Sequence, residues 1–380
     1  MAGIYLHIPF CKSRCAYCGF YSCTRLDLRQ RYVDAVCREM KLRRSYLHEN
    51  VETVYLGGGT PSQLSASHLE QLFMAIGEAY SLSWTDEVTM ECNPDDVTDD
   101  FATMLSHLPV NRVSMGAQTF SDDRLRFLSR RHTSEQVERA VNRLRHAGIG
   151  NISIDLMYGF PGESIQEWHH DIRQALALQV EHLSAYALMY EEGTPLFRML
   201  EQGRVGELDE EVERQMYYDL IDSLDAAGYE HYEISNFAKR IAATASSRFT
   251  SYRSRHNSSY WNQTPYLGLG AAAHSYDGES RQWNVSDIER FIAGIEQGHP
   301  VFEREMLDAQ TRYNDMIMTA LRTSDGLRLD LLTPHQAEYC LQGAQRYLAD
   351  GLLIRERDHL RLSRSGLFVS DMIMTDLMMV

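Results

Sequence analysis

Six short runs rich in β-branched and aromatic residues, alternating with longer stretches of helical spacing, constrain the fold of this chain more than any other feature. The runs lie at 4–8, 53–56, 87–91, 112–115, 152–156 and 182–187, and the amphipathic stretches at 27–47, 65–80, 98–108, 134–147 and 164–178. Ser, Thr or Asp stands at or near the start of each amphipathic stretch, where a side-chain oxygen can take the first free N–H groups of a helix. Strand-then-helix repeats predict an α/β fold with a parallel sheet and right-handed crossovers, wound as an open sheet or as a full or partial barrel. At 380 residues, 44 % of them apolar, the chain is long enough for one large domain and one or two smaller ones. A further helix near 210–227 and a short run at 229–233 close the repeating region. From about residue 287 the periodicity is helical and ends in Leu- and Met-rich segments, which suits a small helical or winged-helix domain.

In either architecture the side chains that do chemistry gather in the loops after the strands. Cys11, Cys15 and Cys18 follow the first run, Gly57-Gly58-Gly59-Thr60-Pro61 the second and Glu91-Cys92-Asn93-Pro94 the third; Gln118 follows the fourth, and Asp155 with Gly159-Phe160-Pro161-Gly162 the fifth. Four of the seven cysteines fall between Cys11 and Cys23, whereas Cys37, Cys92 and Cys340 stand alone. An odd number, too few to staple a chain of this length, argues for a reducing compartment and a metal site. Cys11, Cys15 and Cys18 have the spacing C-x3-C-x2-C, and three thiolates on one loop can ligate three irons of a cubane cluster, leaving the fourth iron open. The alternative is a zinc site completed by Cys23 or His7. The glycine loop lacks the Gly-Lys-Ser/Thr of a P-loop and the later glycines of a dinucleotide fingerprint.

Together these motifs resemble the radical S-adenosylmethionine superfamily. Within it, Tyr5-Leu-His-Ile-Pro-Phe-Cys11, Gly57-Gly-Gly-Thr-Pro-Ser62, Ile154-Asp-Leu-Met-Tyr-Gly-Phe-Pro-Gly162 and His256-Asn-Ser-Ser-Tyr-Trp261 resemble the HemN-like family, which holds the oxygen-independent coproporphyrinogen III dehydrogenases and the HemW-type haem chaperones. The resemblance implies a partial (β/α)6 barrel with a [4Fe-4S] cluster on Cys11, Cys15 and Cys18 and S-adenosylmethionine on the open iron. By the same resemblance, S-adenosylmethionine is bound by Tyr5, Tyr17, Gly58, Gly59, Thr60, Glu91, Gln118, Arg130, Asp155 and Ala187. Consecutive glycines permit close backbone approach, a carboxylate can meet an ammonium or ribose hydroxyls, and Arg130 can pair with the methionine carboxylate. Arg130 or Arg131 could equally be a solvated helix end.

The dehydrogenases generally resemble C-x3-C-x2-C-x-C and carry an N-terminal extension; here Phe20 stands two residues after Cys18 and only three residues precede Ile4. Both features favour the chaperones. The sequence from His256 to Trp261 matches the His-Asn-x-x-Tyr-Trp motif associated with haem in that group. His256 could ligate iron, and Tyr260 and Trp261 offer flat apolar faces; alternatively these three pack the extension against the barrel. From Ile234 to Tyr276 there is no Asp or Glu, but Lys239, Arg240, Arg248, Arg253 and Arg255 are present, a landing place for haem propionates in a chain of net charge −16. That overall charge speaks against nucleic-acid binding.

The resemblance thus implies a haem chaperone delivering haem to acceptor proteins, respiratory membrane haemoproteins among them, with the dehydrogenase reaction as the alternative. An electron donor is required if S-adenosylmethionine is cleaved, and there is room for a homodimer. The implied division is a radical S-adenosylmethionine core at 1–235, a basic connecting segment with the haem motif at 236–300, and a helical domain at 301–380. The first residues lack the basic start and apolar run of a secretory signal, so a cytoplasmic protein is expected. Cys23 reads as a free thiol. Met372, Met374, Met378 and Met379 read as gap-filling core or interface residues rather than metal ligands.

Overall fold

The computed structural model describes residues 2–80, 82–241 and 251–380, and the side chains of all of these except 83–86. Six parallel strands pair in chain order: β1 (Ala2–Ile8), β2 (Val51–Gly58), β3 (Leu82–Cys92), β4 (Arg112–Gln118), β5 (Asn151–Tyr158) and β6 (His182–Ala187). Each contains one of the runs read from the sequence. Between them run helices α1 (Arg29–Leu42), α2 (Ala66–Ala79), α3 (Asp99–Ser106), the short α4 (Asp122–Phe127), α5 (Ser134–His146) and α6 (Ile165–Ala177). Ser65, Thr98, Ser121 and Ser164 cap α2, α3, α4 and α6 through their hydroxyls.

The strands alternate in a way that fixes their curvature. Ile4, Leu6, Ile8, Val54, Leu56, Val88, Met90, Val113, Met115, Ile152, Ile154 and Leu183 are buried in the main core. The intervening residues are polar or aromatic: Tyr5, His7, Thr53, Tyr55, Thr89, Glu91, Arg112, Ser114, Ser153, Asp155, His182 and Ser184. Because side chains alternate between faces, the aliphatic set packs under the helices and the polar set faces inward. An interior of branched aliphatic side chains would pack solid; this polar interior encloses a cavity instead.

The barrel is partial, since β1 and β6 do not pair with each other. Beyond β6, after α7 (Pro195–Glu201) and α8 (Glu210–Ala226), come β7 (Tyr229–Glu233) and β8 (Asn236–Lys239), with β8 antiparallel to β6. After α9 (Arg255–Trp261), β9 (Tyr266–Leu269) adds parallel to the free side of β1. Strands β10 (His274–Tyr276), β11 (Ser280–Asn284) and β12 (Phe302–Met306) follow antiparallel, with α10 (Ile288–Glu296) between the last two. Strands β8 to β11, all within the segment 236–300, thus belong to this same sheet. The C-terminal part has its own core around Tyr313, Ile317, Tyr347, Leu360 and Ile373. It combines helices α11 (Ala309–Ala320), α12 (Pro334–Ala349), α13 (Arg364–Leu367) and α14 (Ser370–Leu377) with a three-stranded antiparallel sheet at 327–328, 353–356 and 359–362. Met374 is buried in that core. Among the described residues no helix is long and apolar enough to cross a membrane.

Helix α9 closes the amino end of the barrel. Glu87 of β3, itself buried, accepts the N–H of Arg255 at 2.8 Å, the N–H of His256 at 2.9 Å and the hydroxyl of Ser254 at 3.3 Å. Gly3 and Thr53 lie at the same level of the sheet, and a Cβ at Gly3 would meet the His256 ring at 3.2 Å. Replacing Glu87 by Ala removes the acceptor of the buried His256 N–H and the half-buried Arg255 N–H, so Glu87→Ala is expected to lower unfolding free energy by about 2–4 kcal/mol in a urea titration. Glu87→Gln, which keeps one acceptor oxygen, should lose less.

Candidate cofactor site

The loop after β1 is closed at its base and tied at its tip. Cys11 N–H donates to Cys23 O at 2.9 Å and Cys23 N–H to Pro9 O at 2.7 Å, while Ala16 bonds Leu128 and Leu196 through its backbone. So held, Cys11, Cys15 and Cys18 line one cavity of about 440 Å³ at the carboxyl ends of the strands. Burial pushes the Cys11 and Cys18 thiols above their ordinary value. Cys23 serves the loop through its backbone and does not line the cavity.

A belt of polar contacts joins this loop to the next three strands. Thr60 Oγ1 lies 3.5 Å from Cys11 Sγ, Asn93 Nδ2 donates to Thr60 Oγ1 at 3.3 Å, and Arg130 Nη2 donates to Asn93 Oδ1 at 2.8 Å and to Gly116 O at 2.7 Å. Arg130 Nη1 closes the belt on Cys15 Sγ at 3.5 Å. Arg131, the alternative in the sequence, instead pairs with Asp95 and Asp96. Gln118 lines the cavity with φ of 67°, a left-handed conformation uncommon outside glycine, at a register shift between β4 and β5. Such strain persists only where the surroundings impose it, and it clusters at functional sites.

Two carboxyls stand on the inner wall. Glu91 accepts the Tyr55 hydroxyl at 2.8 Å and Gly58 N–H at 3.1 Å, and burial pushes its pKa up to about 7. Asp155 accepts the Ser114 hydroxyl at 3.5 Å and is pushed up to about 6, again by burial. The glycine loop is shaped by its neighbours as much as by any ligand. Gly58 has φ of 108° with the His7 ring 2.5 Å from where a Cβ would stand, and a Cβ on Gly59 would come within 2.7 Å of the Pro9 carbonyl carbon.

Tyr17, Gly58, Gly59, Thr60, Glu91, Gln118, Arg130, Asp155 and Ala187 therefore share the cavity with the three cysteines. Tyr5 does not line it; its ring leans on Tyr55 and stacks on His256, and its hydroxyl meets His7 Nδ1 at 3.1 Å. His256, Tyr260 and Trp261 are also elsewhere. His256 is fully buried, with Nδ1 2.8 Å from Thr53 Oγ1 and Nε2 2.9 Å from the Tyr260 hydroxyl, so neither ring nitrogen is free for a metal in this conformation. Trp261 lies under the Arg322 guanidinium and lines a separate cavity of about 200 Å³.

The acid-free window is not free of acids in space. Arg240 pairs with Asp225, Arg253 with Glu230 and Asp325, and Arg255 with Glu52. These pairings leave the expected propionate site largely neutralised; Arg248 lies outside the described residues. Sequence reasoning missed Asn93, Ser114 and Arg112 on the cavity wall. It also missed Asn257, which reaches the same cavity from α9. For Arg112 and Ser114 the spacing in β4 was the available signal, since both lie on the face of Gly116 and Gln118.

A model of the radical SAM superfamily matches residues 5–175, and one of the HemN C-terminal domain matches residues 307–369. Heme chaperone HemW of Lactococcus lactis is 33 % identical over 86 % of this chain and 83 % of its own length. Its namesake in Mycobacterium tuberculosis is 33 % identical over 99 % of this chain and 94 % of its own length. The chain belongs to the HemW family of radical SAM proteins. The solved structure of coproporphyrinogen III oxidase (HemN) from Escherichia coli superposes with a TM-score of 0.83, at 19 % identity, over 99 % of this chain and 89 % of that one, which shows the shared fold.

Membership implies a [4Fe-4S] cluster and S-adenosylmethionine, and the HemW-family cavity fits them. Among the described residues no three His, Cys, Asp or Glu side chains converge as a single metal ion requires. Cys11, Cys15 and Cys18 all line this one cavity, and three thiolates suit three irons of a cubane cluster. Arg112 Nε and Nη1 and Arg130 Nε are buried on the wall without acceptors among the described residues, as a cavity for an acceptor-rich molecule would have them. Because Gly59 abuts main chain that cannot yield, Gly59→Ala should cost about 1–3 kcal/mol of stability in equilibrium unfolding. Gly150→Ala, where a Cβ meets nothing within 4 Å, should stay within about 0.5 kcal/mol of the parent.

Proposed function

We propose that this chain is a cytoplasmic haem chaperone. It holds a [4Fe-4S] cluster on Cys11, Cys15 and Cys18, takes S-adenosylmethionine on the open iron, and binds haem for delivery to acceptor haemoproteins. The convergence of three thiols, Arg130 and two carboxyls on one cavity, in a chain whose curated relatives are named haem chaperones, carries this reading. Residues 1–235 supply the cofactor machinery, 236–300 the barrel closure and its sheet extension, and 301–380 the separate C-terminal core.

Within the cavity Arg130, with Nε still unpartnered, pairs with the methionine carboxylate. Glu91 and Asp155 hold the ammonium or the ribose hydroxyls, while Tyr17, Gly58, Gly59, Thr60, Gln118 and Ala187 line the remainder. Tyr5 acts from beneath, through Tyr55. The cluster supplies an open iron and, with an external electron donor, the means of reductive cleavage. Haem ligation by His256 requires α9 to leave its socket, because both ring nitrogens are engaged.

Anaerobic reconstitution followed by haem titration tests the reading. Saturable haem uptake, with no protoporphyrinogen formed from coproporphyrinogen III, S-adenosylmethionine and reductant, is expected. Stoichiometric protoporphyrinogen would overturn it in favour of the dehydrogenase. The raised carboxyls set the pH dependence of the cofactor site. Below about pH 6 both are mostly protonated and neutral, and as pH rises through about 7 they ionise. S-Adenosylmethionine affinity should therefore increase from about pH 5 to about pH 8, with protons released on binding near neutrality in calorimetry.

A further inference from the structure

We propose that haem docks across the mouth of the cofactor cavity, on an apolar rim of Phe20, Tyr186 and Met189 with a propionate on Arg14. The proposal rests on the haem-chaperone reading and assigns its cargo a place. Phe20 is 71 % exposed, Met189 62 % and Tyr186 41 %. Among the described residues twelve large apolar side chains are more than a third exposed to solvent, and of these only the three line the cavity that holds the cysteines. Scattered exposed apolar residues are ordinary, but a cluster on the rim of a binding cavity marks a ligand contact.

Two segments of the chain meet on this rim. An ideal Cβ at Gly19 would stand 1.7 Å from Glu191 Oε2, so the cysteine loop touches the segment after β6 at that point, with Phe20 and Met189 close on either side in sequence. Two aromatic rings and a thioether suit a flat, apolar, polarisable guest. Charge complements it. Arg14 is exposed on the same cavity and forms no ion pair among the described residues, whereas Arg131 is already held by Asp95 and Asp96. Glu191 is the acidic group on this rim and disfavours propionates on its side, which orients the macrocycle toward Arg14. The interior socket of His256, by contrast, offers no open face.

Titration of the reconstituted full-length protein with hemin, followed by absorbance, tests this. The double variant Phe20→Ser/Met189→Ser should weaken binding by about tenfold or more. Arg14→Glu should weaken hemin by about threefold and leave hemin dimethyl ester, which lacks propionate charge, unaffected. Bound hemin should also slow release of S-adenosylmethionine from the parent protein, since it covers the mouth. Iron content and thermal midpoint check that each variant folds. Binding by the double variant within about twofold of the parent overturns the proposal, as does selective loss in a folded His256→Gln variant. Absence of saturable hemin binding in the parent protein overturns the chaperone reading itself.

Discussion

The carboxylate of Glu87 holds the first turn of α9 inside the amino end of the barrel, and the rest of the site depends on that closure. A barrel lined with tyrosine, threonine, carboxyl and guanidinium groups cannot be filled by aliphatic packing. One end must be sealed by groups that satisfy polar partners. His256 does so with both ring nitrogens, its ring 5.1 Å from Tyr55. Tyr55 in turn donates its hydroxyl to Glu91 on the cavity wall. The sealed end and the cofactor cavity therefore share one tyrosine, and the cysteine loop lines that cavity.

That arrangement explains the two roles of the conspicuous motifs. The glycine loop permits close approach, and its close protein neighbours include the His7 ring at Gly58 and the Pro9 main chain at Gly59. The His-Asn-x-x-Tyr-Trp motif divides its work: His256 and Tyr260 pack inward, Asn257 reaches the cofactor cavity, and Trp261 faces another cavity under Arg322. A motif contiguous in sequence is thus distributed over three environments, because seven helical residues turn nearly twice around their axis.

Much of the architecture was legible because its causes are local. The six runs became the six parallel strands, and hydroxyl residues ahead of the helical stretches act as caps where local hydrogen bonding requires them. The strands β9 to β12 were not legible: they are short, and their pairing is decided by the unpaired side of β1 and by one another. The site followed the same division. The cysteines and the residues at strand ends announce themselves by type and position. Asn93 and Arg112 matter because of what they face, and Tyr5 lies off the cavity because the Tyr55 ring and His256 occupy the space beside it.

By itself the amino-acid sequence determined that strands and helices alternate, that three thiols share one short loop, and that glycines and carboxyls follow particular strands. These are properties of neighbours along the chain, where periodicity and spacing act directly. Only the tertiary structure decided that Arg130 rather than Arg131 faces the thiols, and that Arg240, Arg253 and Arg255 are neutralised by distant carboxylates. It alone decided, too, that His256 seals the barrel. Electrostatic and hydrogen-bond partners are chosen by distance in space, and a buried group takes whichever partner the packed strands bring to it.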